Sequence, residues 1–289
     1  MPTAPTRPLL IVNADDYGLT EQVSRTIVDA HRDGIVTSTS VLPLAPAFDK
    51  TVDWLLDEPT LGTGAHLALV GEDPPLLSAA EIPTLVDERG HLALSWRTFL
   101  RRAALGRIDP DDVRRELDAQ LRRLLDAGLH LDHVDTHQNL HLWPSIREVV
   151  MELGELHDIR AIRVTRSSAR SPVGTVVRRL AGGLQAACDE AGWVYPRAST
   201  GLDEAGHLDT PAMIDALFRL AATGAPSVEL ASHPGSHDDP DRARYEWDYQ
   251  WGDEGDALRS ATVRSAIDEL GFVLGTFADL ARPLERPQR

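Results

Sequence analysis

Short apolar runs alternate with amphipathic stretches along most of this chain. The run at 8–12, Pro-Leu-Leu-Ile-Val, shows no polar alternation and predicts a strand buried on both faces. A helix signal follows, with Thr20 as N-cap, Glu21 in the first turn, and Val23, Ile27 and Ala30 or His31 facing inward. Gly34 is placed to end that helix. Further β-rich runs fall at 35–42, 61–69, 129–136, 161–166, 227–232 and 271–276. Between them, Asp109-Pro110 opens a helix with Val113, Leu117, Leu121 and Leu124 on one face, and Gly128 closes it. Pro144 opens another, carrying Ile146, Val149, Val150 and Leu153. Helices are also expected over 173–192, 210–222 and 256–270.

Strands alternating with helices predict a parallel α/β fold. The length of the pattern suits a single-domain (β/α) barrel-like fold, an irregular TIM-type barrel, better than an open doubly wound sheet. Residues 70–108 break the rhythm and read as an insertion over the active-site face, within one domain spanning 1–289.

Composition narrows the partners. With 29 basic and 45 acidic residues, the formal net charge of −16 argues against nucleic acid or an anionic membrane surface. The single cysteine, Cys188, excludes an internal disulfide and a zinc finger and points to a reducing compartment. The start of the chain leads into an apolar run too short for a signal-peptide core or a membrane span, so a cytoplasmic location is expected.

The polar residues collect in four clusters, each at or just beyond the C-terminal end of a predicted strand. They are Asn13-Ala14-Asp15-Asp16, Gly64-Ala65-His66, the run from Asp135 to His141, and Ser232-His233-Pro234-Gly235. Singly, each has a plain structural explanation: a cap, a semi-buried histidine, a solvated loop, a turn. Their shared position favours a site, because strand C-termini converge on one face of a parallel α/β fold. A carboxylate with two imidazoles makes a mixed oxygen and nitrogen donor set that suits a divalent metal with open positions. Metal charge would also let the adjacent Asp15 and Asp16 stay ionised together. No Gly-x-Ser-x-Gly elbow, Gly-x-Gly-x-x-Gly turn or P-loop occurs.

In order along the chain, "NADDYG", "TSTS", "GAHLAL", "HVDTHQNLH" and "ELASHPG" resemble the motifs of the YdjC family of carbohydrate deacetylases, from residue 9 to about 280. The resemblance implies metal-dependent hydrolysis of the N-acetyl group of an amino sugar, a chitooligosaccharide or related glycoconjugate, on a (β/α) barrel-like fold. It implies Asp16, His66 and His137 as ligands of a divalent ion, Mg2+ with Zn2+ as the alternative. Asp15 would be the general base and His233 the acid or oxyanion stabiliser. Homodimers occur in the family and are the assembly to expect. One position departs from the pattern: the fourth motif commonly reads His-Gln-His-x-His, and here its middle histidine is Asn139. Two other readings stay open. Arg163 and Arg166 could hold a phosphoester, and Asn139 could mark a sugar-binding protein without catalysis. Trp96, Trp143, Trp247 and Trp251 are candidates to stack on sugar rings or to pack the core.

Overall fold

The computed structural model describes residues 7–281. The ends of the expected 1–289 span, including most of the stretch that precedes the first strand, lie outside the described residues. The elements run β1 (Leu9–Tyr17), α1 (Glu21–Arg32), β2 (Ser38–Val41), α2 (Phe48–Leu56), β3 (Gly62–Leu67), α3 (Trp96–Ala104), α4 (Pro110–Asp126) and β4 (Leu131–Thr136). Then come α5 (Pro144–Leu156), α6 (Pro172–Ala191), β5 (Ala198–Thr200), α7 (Thr210–Ala222), β6 (Ser227–Ser232), α8 (Trp251–Leu258), α9 (Ala261–Glu269) and β7 (Val273–Leu274).

All strand pairs among the described residues are parallel, in the order β4-β3-β2-β1-β6-β5, with β7 beside the N-terminal end of β1. Every residue of β1 is buried, as its unbroken apolar start requires. The helices cover the sheet with apolar stripes such as Val113, Leu117, Leu121 and Leu124 of α4. Thr20 caps α1 through a hydrogen bond from the Val23 amide, as the sequence predicts.

Four expectations change. The 161–166 run forms no ladder. It bridges β4 at Val134–Ile162 and Val194 at Ala161, so the chain there is tied on both sides without repeating pairs. The short polar strand β5 takes the next place in the sheet, beside β6. The helix expected over 256–270 is two helices, broken at Arg259 and Ser260. Finally, β1 does not stop before its aspartates but runs through them to Tyr17.

The insertion holds α3 and little other regular structure. Buried carboxyls of α4 anchor it: Glu116 accepts from the Leu76 and Leu77 amides, and Asp112 from the amide and hydroxyl of Thr84. Further along the insertion, Ser95, Trp96 and Arg97 line a cavity at the strand C-termini, the Trp96 amide donating to Gln138.

Candidate metal and catalytic site

Adjacent residues in a strand point to opposite faces, so Asp15 and Asp16 should not reach the same place. Here the register of β1 against β2 slips between Ala14 and Tyr17, and Asp16 takes a left-handed φ of 67°. The bulge turns both carboxylates into the cavity. A non-glycine residue held this way is a cost that its surroundings must enforce.

His66 arrives from β3, paired in register with Asp135 of β4. Its Nδ1 lies 2.7 Å from Asp135 Oδ1, which aims Nε2 at Asp16. His137 follows directly after β4. Gln138 and Asn139 behind it adopt successive left-handed φ values of 54° and 56°, so the chain reverses and leaves His137 facing inward. The three ligand-type atoms form a near-equilateral triangle. Asp16 Oδ1 lies 3.5 Å from His66 Nε2 and 3.3 Å from His137 Nδ1, and the two nitrogens are 3.4 Å apart.

These residues fit a divalent cation. Edges of that length are what three donors about 2.0–2.1 Å from one ion would span. Asp16 Oδ1 is buried with no hydrogen-bond partner, a state that is costly unless a cation completes it. The Asp135 carboxylate behind His66 is the outer partner that orients metal-binding imidazoles. Without a cation, burial raises the Asp16 carboxyl, but His137 beside it and the charges of His66 and His233 bring it down to about 2. Burial disfavours the His66 cation, yet Asp135, Asp15 and Asp16 push its pKa up to about 9. A second grouping of Asp15, His66 and Asp135 also lies close enough for a metal, but its carboxylates are already occupied.

Their occupant is Arg163, a residue the sequence pointed toward phosphate. Its guanidinium is buried and grips Asp15 with two bonds of 2.6 and 2.7 Å. The same group lies 2.7 Å from Asp135 Oδ2 and 2.7 Å from Glu229 Oε1. Burial would strip its proton, but the three carboxylates raise its pKa well above the ordinary value. In turn, burial holds the Asp135 carboxyl up, but Arg163 and His66 pull it well below the usual range. Burial raises the Glu229 carboxyl, Arg163 offsetting part of that. Asn13 donates to Asp15 Oδ1 at 2.7 Å, completing the clamp. Asp15 Oδ2 keeps one side toward His233, whose Nε2 is 3.7 Å away.

His233 directly follows β6, its amide donating to the buried Glu254 and its ring against Tyr249. Its Nδ1 is buried without a partner. His141, the last histidine of its cluster, lies outside the triangle. Its nitrogens meet the Thr136 hydroxyl and the Arg163 carbonyl, and burial, aided by Arg163, pushes its pKa down to about 4. Asn139 accepts from the Thr165 hydroxyl, and Gln138 turns outward to hold the Trp96 amide and the Leu94 carbonyl.

The structure thus brings Asp15, Asp16, His66, His137 and His233 to one cavity of about 410 Å³. Trp96 and Trp247 line it as well. Trp251 does not; it is buried in the core, and Trp143 faces a neighbouring cavity. Sequence reasoning missed the supporting roles of Asp135, Arg163 and Glu229. Glu229 carried a signal, a lone carboxylate within the apolar strand run "SVELAS".

Similarity to known proteins places the chain in a family. The model of the YdjC-like protein family matches residues 9–269. The chain belongs to the YdjC family. Among its relatives, a chitooligosaccharide deacetylase of Proteus mirabilis is 30% identical, the match covering 94% of this chain and 98% of that protein. A Brevibacillus brevis carbohydrate deacetylase is 37% identical over half of this chain, and the match spans only 55% of that protein. Among solved structures, a putative cellobiose-phosphate cleavage protein from Enterococcus faecalis superposes with a TM-score of 0.78 at 26% identity, covering 95% of this chain and 99% of that one. As a YdjC protein, the chain carries an α/β fold with a parallel, barrel-like sheet. Among the described residues, no helix is long and apolar enough to cross a membrane.

Proposed function

We propose that this YdjC protein is a metal-dependent carbohydrate deacetylase, removing the N-acetyl group of an amino sugar on an irregular (β/α) barrel. The observation that carries the reading is the orphaned Asp16 oxygen facing two imidazole nitrogens, beside a separately clamped Asp15. The names of its relatives, carbohydrate and chitooligosaccharide deacetylases, support it.

Asp16, His66 and His137 would hold the cation. The imidazole donors favour Zn2+, while the family resemblance points to Mg2+. When bound, such an ion would polarise the amide carbonyl and acidify a water molecule. Asp15, fixed by Arg163 and Asn13, is positioned to take that water's proton as the water attacks the carbonyl carbon. His233, when protonated, can deliver a proton to the departing amine, which would otherwise be too basic to leave. The products are acetate and the free amino sugar. Trp96 and Trp247 offer apolar faces to the sugar rings.

The phosphoester alternative is less well supported, because Arg166 does not line the catalytic cavity. Arg163 is spent on three carboxylates, and the Arg166 guanidinium donates to the Arg197 carbonyl. Acetate release from N-acetylglucosamine oligomers tests the reading. It should disappear with chelator and return with added Zn2+ or Mg2+; release that survives chelation, or no release with either metal, would refute it.

A further inference from the structure

A second cavity opens beside the catalytic one. It measures about 460 Å³, and Trp96, Gln138, Asn139 and Leu202 line both. Its walls are apolar: Leu140 and Leu142 from the turn that begins at His137, Trp143 before α5, and Val177 and Leu180 of α6. Asp15, Asp16, His66, His137 and His233 do not line it, so the reacting acetyl group does not enter it. At its rim, Val173 and Val176 stand 47% and 55% exposed. Few polar groups are available inside. The Ser167 hydroxyl already donates to Asp203, and the Ser171 hydroxyl caps α6 through the Gly174 amide. A further sugar ring would leave hydroxyls without partners there, whereas hydrocarbon would lose nothing by entering.

Resting on the deacetylase reading, we propose that this annex binds an apolar aglycone. The amino sugar would then be one end of an amphiphile, its acetamide at the cation site and its hydrocarbon crossing Gln138 and Asn139 into the annex. The annex adjoins the catalytic cavity across four shared lining residues, and that adjacency commits it to a substrate group rather than to a separate ligand.

The experiment compares methyl and octyl β-glycosides of N-acetylglucosamine, each below its critical micelle concentration, with the Zn2+- or Mg2+-loaded protein. Acetate release gives kcat/KM, and tryptophan fluorescence reports binding independently, because Trp96 and Trp143 face the annex. The octyl glycoside should be favoured by at least about tenfold, through KM, since each buried methylene contributes. V176D and Val173→Asp, both at exposed positions, should bring that ratio toward one. Equal constants for the two glycosides in an active enzyme would overturn the annex and spare the deacetylase reading. Equal constants in a protein that sediments as a dimer would assign the apolar rim to a second copy, also overturning it. Tighter octyl binding without acetate release would keep the annex and refute the deacetylase reading.

Discussion

Two buried charge clusters meet in this cavity, and they are built differently. Around Arg163, three carboxylates share one guanidinium, each at about 2.7 Å. Around Asp16, two imidazole nitrogens converge at 3.3–3.5 Å on an oxygen with no partner. In the first cluster a guanidinium of the chain itself ties all three carboxylates, leaving Glu229 Oε2 as the carboxylate oxygen without a partner. In the second, Asp16 Oδ1 faces only imidazole nitrogens outside hydrogen-bonding geometry, a donor set that suits a cation. Histidine content does not make the distinction. Ser40, His133 and Asp132 are linked in sequence at 3.2 and 2.6 Å like a nucleophile, base and orienter, yet Ser40 and His133 are wholly buried and no substrate can reach them.

The sharpest way to break the comparison is to delete a member of the cluster around Asp16. His137→Ala should lose stoichiometric metal and all acetate release, measured by metal analysis after dialysis; a variant that keeps both would remove the ligand assignment. Asp15→Asn should slow acetate release by about 10²–10⁴-fold while retaining the metal. Full activity in that variant would reassign the base. Next comes the arginine cluster. Arg163→Met strands Asp15, Asp135 and Glu229 in the interior and should cost about 3–5 kcal/mol in urea unfolding. A loss of metal with unchanged stability would instead make Arg163 part of the cation site.

The smallest effect is a pH dependence. In the metal-free protein the His66 pKa is raised to about 9 from 6.5, so its contribution to stability is complete below 6.5 and is lost as pH rises through 9. A bound cation needs that imidazole neutral, so metal affinity should move the opposite way, rising by up to about tenfold per pH unit across the same window. Calorimetric titration with Co2+ at several pH values reads this directly, and a flat profile would place His66 outside the ligand set. Asp16, depressed to about 2, contributes stability above 3.8 that is lost as pH falls toward 2.

Much of the fold was legible because burial writes itself into period and composition. The strand starting at Leu9, the caps at Thr20 and Asp109 and the stripe of α4 all follow from local rules. Elements set by their neighbours were not legible. The three-residue strand β5, "AST", has no pattern of its own and is ordered by β6 beside it. The 161–166 run has strand composition, but it bridges two partners without pairing continuously along either. The helix α2, between the prolines at 43 and 46 and Pro59, is short and has no side-chain cap to announce it.

The same division runs through the site. The sequence alone determined which side chains could do chemistry, and their place after strands put them at one end of a parallel sheet. Local rules could not determine how Asp15 and Asp16 both come to face the cavity, because adjacent strand residues should face apart. Only the tertiary structure decided that. The slipped register against β2 turns both carboxylates inward, Arg163 from a distant stretch of chain neutralises one, and the imidazoles of β3 and the turn after β4 leave the other without a partner. Charge compensation in a low-dielectric interior depends on which groups meet, and those meetings are long-range in sequence.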